Sequence, residues 1–168
     1  AKKRGFAAAG VDALAAAAGV TSGAVYKHFG GKSELLATII EAELRRSAAR
    51  FASIPTGDLA KLDSAVAAYL SPEHVGHPEL GCALPSLAAD VARSDSEARA
   101  AFEDGLLAVH AALKRHLRSD DAAWALIAQS VGAVVLARAM QDANVQQKLL
   151  RSVKRSARAL VSHTGSRD

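Results

Sequence analysis

Apolar residues recur every three or four positions along nearly the whole chain, and this spacing is that of one face of an α-helix. One such stripe contains Leu59, Leu62, Val66, Tyr69 and Leu70. Alanine, the best helix former, is abundant, whereas the aromatic residues that favour strands make up only 4% of the 168 residues. No segment alternates apolar and polar residues as a half-buried strand would. The sequence therefore predicts an all-α fold.

Glycines and capping residues divide the first part of the chain into three helices. A short helix is predicted over residues 11–18 and ends at Gly19, because glycine readily adopts the left-handed conformation that follows a helix. Thr21 can cap a second short helix that extends to His28. A longer helix is predicted over residues 32–51.

Similar signals predict the helices of the remaining chain. Asp58, Ser94 and Ser119 are each placed to cap the helix that follows them, since their side-chain oxygens can accept a hydrogen bond from a free backbone N–H. A loop is predicted over residues 71–80, and a helix over residues 81–92. These boundaries define the segments on which the candidate sites lie.

The longest apolar run in the chain spans residues 122–140. It contains Ser130 and Arg138, and it falls short of the roughly 20 clean apolar residues that a membrane span needs. We therefore predict a buried helix there, a final helix over residues 144–162, and no association with a membrane. The single cysteine, Cys82, has no intrachain partner for a disulfide, which agrees with a cytoplasmic protein.

The positive charge of the chain is concentrated at its beginning. Residues 1–33 carry five basic side chains against one acidic one, while the remaining residues carry 16 of each sign. A basic segment joined to a neutral body is typical of a protein whose one end meets a polyanion, although a solvated basic surface has the same composition.

Two short helices joined by a tight turn form a helix-turn-helix pattern around this basic segment. Ala15 allows the two helices to approach closely, Gly19 permits the turn, and Val25 fills the space between the helices. The second helix is then free to enter a DNA major groove with its first side chains against the base edges.

The segment from Gly5 to Leu36, GFAAAGVDALAAAAGVTSGAVYKHFGGKSELL, resembles the TetR family of transcriptional regulators in spacing and residue type. The segment from Tyr69 to Arg93 is similar to one found in a large subset of that family. The resemblance implies a TetR-like all-α fold with a DNA-binding domain over residues 1–48 and a ligand-binding and dimerisation domain over residues 49–168. The first helix of the family should precede Gly5, where only AKKR stands, so we expect that helix to be largely missing.

The resemblance also assigns roles within the helix-turn-helix. It implies that DNA phosphates are contacted by Thr21, Tyr26, His28 and Lys32. It implies that base edges are reached by Ser22, Gly23 and Lys27, of which two are small and read little sequence.

A regulator of this family is expected to be a homodimer that pairs through its last two helices. The paired recognition helices would lie roughly 34–36 Å apart, so double-stranded DNA with a near-palindromic operator is the expected partner. Repression released by a small apolar or amphipathic effector is the expected mechanism, in which DNA and effector weaken each other's binding.

Apolar and aromatic residues of the larger domain are the candidates for an effector pocket, although residues at helical spacing are more often ordinary core. The candidates are Leu62, Val66, Tyr69, Cys82, Phe102, Leu106, Val109, Trp124 and Ile127.

Other kinds of site have weaker support. Cys82 lies near a predicted helix start, where a thiol can become reactive, but it can equally be a buried structural residue. His74, His77 and Cys82 have loose metal-ligand spacing without an evident fourth ligand, so we predict no metal. The sequence contains no phosphate-binding, dinucleotide-binding or nucleophile motif, so we predict neither a cofactor nor an enzyme.

Two other classes of protein stay open on the sequence alone. One is a helical dimerisation or adaptor protein that does not bind DNA, which the missing first helix and the small Ser22 and Gly23 favour. The other is a small helical enzyme, which would require a polar cluster with catalytic geometry inside the larger domain.

Overall fold

The structure is a computed structural model that describes residues 15–16, 19–29, 31–79, 81–117 and 119–162. Within these ranges the chain forms helices and connecting turns and no strand, which confirms the predicted all-α fold. The helices are α1 Ser22–Phe29, α2 Lys32–Ala52, α3 Leu59–Tyr69, α4 Pro72–Gly76, α5 Leu84–Ala92, α6 Ser96–Lys114, α7 Asp120–Ala139 and α8 Ala143–Ser162. Most of the helix predicted over residues 11–18 lies outside the described residues, of which Ala15 and Ala16 are helical.

Two of the predicted N-caps are confirmed. The Asp58 carboxylate accepts a hydrogen bond from the Lys61 backbone N–H at 3.0 Å, and the Ser119 hydroxyl accepts one from the Ala122 N–H at 3.0 Å. Each satisfies one of the free N–H groups at the start of a helix, here α3 and α7.

The prediction that Ser94 caps α6 is wrong by one residue. Asp95 is the cap, and its carboxylate accepts a hydrogen bond from the Ala98 N–H at 3.2 Å. The Ser94 hydroxyl instead donates to the Val91 carbonyl at 2.7 Å and closes the end of α5. Ser94 therefore closes the preceding helix, because both its backbone N–H and its side-chain hydroxyl donate to the Val91 carbonyl.

The loop predicted over residues 71–80 contains the short helix α4. Ser71 caps this helix by accepting from the His74 N–H at 3.1 Å, and Pro72 occupies its first turn, where a missing N–H is tolerated. The following helix, α5, begins at Leu84 rather than at Gly81.

The buried side chains form two connected cores. The first lies among α3, α6, α7 and α8, and the second joins α1 to α2, α5 and α6. Leu106 and Val131 pack against both cores. The helices at the start of the chain are therefore attached to the larger bundle through α2.

The long helix α2 packs along α6, and the two backbones come closest at Gly105. A Cβ atom placed on Gly105 would lie 2.6 Å from the Cβ of Leu44, a distance that real side chains do not adopt. Leu44 is fully buried at this point. The absence of a side chain at Gly105 allows the two helices to approach this closely.

Helix α7 is long and apolar enough to cross a membrane by length and composition, and it is the one such helix among the described residues. Packing against α4, α5, α6 and α8 explains part of that composition, while Trp124, Val135 and Leu136 remain exposed, so the predicted burial of this helix holds for one side only. Its Arg138 guanidinium donates to the His74 and Val75 carbonyls at 3.3 and 3.2 Å and to the Ser86 hydroxyl at 3.0 Å. These bonds hold α4 and α5 against α7.

Candidate nucleic-acid interface and interior cavity

A tight turn connects the helical residues Ala15 and Ala16 to α1. The Gly19 and Val20 N–H groups donate to the carbonyls of Ala16 and Ala15 at 3.2 and 3.0 Å. Gly19 has a φ of 70°, a left-handed conformation that suits glycine. Thr21 then caps α1, since its hydroxyl accepts a hydrogen bond from the Ala24 N–H at 3.2 Å. The turn and the cap agree with the sequence prediction.

The packing of α1 decides which of its faces is exposed. Val25 is buried, and it belongs to the same core as Ala15 and the α2 residues Leu35 and Leu36. Because Val25 points inward, the residues on the other side of α1 face the solvent.

The predicted DNA-contacting residues are arranged around this outer face. Gly23, Lys27 and His28 are exposed along α1, and Thr21 and Lys32 are exposed at the first positions of α1 and α2. Ser22 is half-buried, and the side chain of Tyr26 lies outside the described residues. The surface therefore combines an exposed helix N-terminus with the basic residues Lys27 and Lys32, which suits contact with a phosphate backbone.

The larger bundle contains a cavity of about 170 Å³ that opens on one side to the solvent. The walls come from α2, α3, α6 and α7, together with one residue each of α4 and α5 and the turn at residues 81–82. The side chains that line it are Glu43, Arg46, Ser47, Arg50, Phe51, Ala65, Val66, Ala68, Tyr69, His74, Cys82, Leu84, Val109, Leu113, Leu126, Ile127, Ser130 and Val131, together with Gly81.

The structure brings five of the nine predicted pocket residues together around this cavity, namely Val66, Tyr69, Cys82, Val109 and Ile127. The other four lie elsewhere. Leu62 is fully buried in the first core, Phe102 packs against the second, and Leu106 packs against both. Trp124 is 36% exposed and stacks on His110 with ring centroids 4.2 Å apart.

Helix α2 supplies cavity residues that the sequence reasoning missed. Glu43, Ser47, Arg50 and Phe51 lie on one helical face, at i, i+4, i+7 and i+8. The sequence contains this spacing, but nothing in it shows that the face meets α3 and α7. Ser130 was also missed, although it stands out as a polar residue within the long apolar run.

Two hydroxyl groups of the cavity lining are buried, the Oγ of Ser130 and the Oη of Tyr69. The Ser130 Oγ has no hydrogen-bond partner among the described residues, and the Tyr69 Oη lies beside the Cys82 thiol. Burial raises the pKa of Tyr69 well above its usual value, and the neighbouring Cys82 thiol adds to this rise. Tyr69 is therefore protonated at neutral pH and can donate a hydrogen bond.

The hydrogen bonds of His74 determine what the imidazole can do. Its Nδ1 lies 2.6 Å from the Tyr69 carbonyl, which only accepts, so Nδ1 carries the proton. Its Nε2 then accepts from the Cys82 backbone N–H at 3.3 Å. Both ring nitrogens are thus engaged, and neither can activate the Cys82 thiol as a base.

The loose histidine and cysteine spacing does not assemble into a metal site in the described part of the chain. His77 turns away from the cavity, and its Nδ1 lies 3.3 Å from Glu79 Oε1. The described residues contain no group of three or more histidine, cysteine, aspartate or glutamate side chains that could hold a metal ion.

A capped helix, a tight turn and an exposed basic face, carried on an α-helical bundle, define the class of helix-turn-helix DNA-binding proteins. Residues 1–39 match the family model described as bacterial regulatory proteins, tetR family. This match supports a DNA-binding transcriptional regulator of the TetR family, as the sequence from Gly5 to Leu36 predicted. The comparison with curated proteins gave no match.

Proposed function

We propose that this protein is a cytoplasmic repressor that binds a near-palindromic operator as a homodimer and leaves it when a small molecule enters the cavity. The chain then divides into a DNA-binding domain over residues 1–48 and a regulatory domain over residues 49–168. No catalytic role is part of this proposal.

The observation that carries the proposal is the position of α2. Its first residue, Lys32, is exposed beside α1, and its Leu35 and Leu36 pack in the core that holds Val25. Three to five turns further on, the same helix lines the cavity with Ser47 and Phe51. A ligand that displaces the end of α2 therefore acts on the helix against which the recognition helix is packed.

Within the proposed interface, the residues divide by the part of DNA they meet. Thr21, Tyr26, His28 and Lys32 contact phosphates and determine affinity and its dependence on salt. Base edges are reached by Ser22, Gly23 and Lys27. Lys27 is the one long side chain of that second group, so we expect it to carry most of the direct base readout.

Exposed apolar side chains support the proposed dimer. Trp124 and Val135 are 36% and 44% exposed, and their separation of eleven positions corresponds to about three helical turns, which places both on one face of α7. Leu136 and, at the start of α8, Val145 are also exposed. A second copy of the chain would remove this surface from water, as expected for two-fold pairing through α7 and α8.

The test begins with selection of duplexes from a random library by the full-length protein. We expect the enriched sequence to be a near-palindrome with half-sites about one helical turn apart. Binding to that duplex is then measured by fluorescence anisotropy between 50 and 200 mM salt, conditions chosen because phosphate contacts are strongly salt-dependent there.

Lys32→Ala should weaken binding to all duplexes and reduce the slope of log K against log salt by about 2, since each subunit of a dimer loses one phosphate contact worth about 0.9. Lys61→Ala is the matched control, because Lys61 is an exposed lysine on α3, paired with Asp58 at 3.5 Å. An unenriched library together with a dimeric protein would instead favour the adaptor function.

A further inference from the structure

The cavity has a size and a polar lining that restrict what it can bind, and this inference depends on its proposed role as the effector site. Its volume is about 170 Å³. An apolar protein cavity of roughly 150 Å³ accommodates benzene. The cavity therefore has room for one ring of about that size, and any further atoms of a ligand would extend through the open side.

The buried hydroxyls call for an acceptor. Ser130 is only 8% exposed, and its Oγ has no hydrogen-bond partner among the described residues, while the buried Tyr69 Oη meets the Cys82 thiol, a weak hydrogen-bond partner. A buried polar group without a partner is costly, so a ligand that supplies one gains affinity over an equally large hydrocarbon. Both groups can donate, and an oxygen with free lone pairs is their natural partner.

The walls exclude a charge from the enclosed part. The residues around the hydroxyls are apolar and include Val66, Val109 and Ile127. The charged lining residues lie on α2 at the open side, where Arg46 is exposed and lies 3.4 Å from Glu43. An anion placed among the apolar walls would lose its hydration. The Arg138 guanidinium, whose charge reaches Tyr69, already donates to two backbone carbonyls and to the Ser86 hydroxyl.

We propose that the cavity binds a neutral, single-ring lipophile that carries one acceptor oxygen, such as a phenol or an aryl ketone, with that oxygen held by the hydroxyls of Ser130 and Tyr69. The polar pair thus selects among ring compounds of similar size and rejects both hydrocarbons and carboxylates.

Three probes of nearly equal size test this proposal on the full chain without DNA. They are p-cresol, p-xylene and benzoate, and their dissociation constants are measured by ligand-observed NMR and thermal shift. We expect p-cresol to bind about 3- to 10-fold more tightly than p-xylene, because it replaces a methyl group by one that hydrogen-bonds. Benzoate should bind most weakly. Equal binding of p-cresol and p-xylene, or tightest binding of benzoate, would overturn the proposal.

Two conservative variants locate the effect. Ser130→Ala and Tyr69→Phe each remove one hydroxyl and leave the ring-sized space in place. The preference for p-cresol over p-xylene should fall toward unity in these variants, while p-xylene binding is retained and shows that the cavity is intact. An unchanged preference in both variants would contradict the assigned hydroxyls.

Because these measurements contain no DNA, their outcome is separable from that of the proposed function. Binding of p-cresol that leaves the operator complex intact would refute effector release while supporting the ligand class. If p-cresol does not bind but a carboxylate or a hydrocarbon releases the protein from the operator, the proposed ligand class is refuted and effector release is supported.

Discussion

Substitution of Gly105 by alanine tests whether α2 is pressed against α6, the contact that attaches the DNA-binding helices to the bundle. A Cβ at this position would meet Leu44 Cβ at 2.6 Å, Cδ1 at 2.7 Å and Cγ at 3.2 Å. Leu44 is fully buried, so it has no room to turn toward solvent. Overpacking of this kind costs about 1–3 kcal/mol, and the short distances place Gly105→Ala in the upper part of that range.

An opposing contribution comes from helix propensity, since alanine is favoured over glycine inside a helix by about 1 kcal/mol. The net expectation for Gly105→Ala is a loss of about 1–2 kcal/mol of unfolding free energy. For a chain of this length, this corresponds to a fall in Tm of about 3–6 °C. Urea unfolding followed by circular dichroism, at one fixed protein concentration, measures the change.

Ala108→Gly is the matched control, because Ala108 is exposed on the same helix three residues away. It should lose about 1 kcal/mol through propensity alone. If Gly105→Ala instead raises the unfolding free energy by about 1 kcal/mol, both substitutions report helix propensity alone and no close contact exists at Leu44. That result would refute the described packing of α2 on α6.

Three further substitutions probe other contacts. Ser130→Ala, without ligand, removes a buried hydroxyl that has no partner among the described residues, so the unfolding free energy should stay the same or rise by up to about 1 kcal/mol. A clear fall in Tm in a thermal melt would show that this hydroxyl is hydrogen-bonded. Arg138→Lys should lower the unfolding free energy by about 1–2 kcal/mol, because one ammonium cannot replace the three hydrogen bonds that the guanidinium makes. An unchanged urea midpoint would contradict the role of these bonds in holding α4 and α5 against α7. Asp63→Asn concerns the hydrogen bond from Arg158 on α8, which lowers the pKa of Asp63 below its ordinary value of 3.8. Near pH 7 the unfolding free energy of the wild type should exceed that of the variant, and this difference should vanish as the pH falls through the lowered pKa of Asp63. A difference that persists in acid would exclude the ion pair as its cause.

The features that could be predicted from the sequence depend on residues close together in the chain. Thr21, Asp58 and Ser119 each cap a helix by reaching an N–H only three residues away, and the apolar stripes repeat within a few residues. The turn at Gly19 has the same local character. Local contacts of this kind do not depend on how the surrounding helices pack. The helix-turn-helix and its resemblance to a family could therefore be predicted from the sequence.

The boundary between α5 and α6 shows how two local choices can compete. Ser94 and Asp95 can both act as caps, and the sequence alone favoured Ser94. The structure assigns Ser94 to the Val91 carbonyl and Asp95 to the Ala98 N–H, and Asp95 has the extended backbone typical of an N-cap.

The candidate DNA-contacting surface could be assigned from sequence because Val25 identifies the inner face of a short helix. The cavity could not be assigned in this way. Helix α7 is apolar nearly all round, so its periodicity does not say which side turns inward, and Trp124 was expected inside although it lies at the surface. Phe102 was misplaced for a similar reason, since it packs beside α2 rather than beside the cavity.

By itself, the sequence determined the helices, the turn at Gly19 and the class of surface that α1 presents, because these depend on backbone propensity and on contacts within a few residues. Only the tertiary structure decided that Ser47, Tyr69 and Ser130 share one cavity. Those residues come from three helices separated by long stretches of chain, and their meeting depends on how α2 and α7 pack against the rest of the bundle. Helices with similar apolar faces can pack in several arrangements, and one sequence pattern is compatible with more than one of these arrangements.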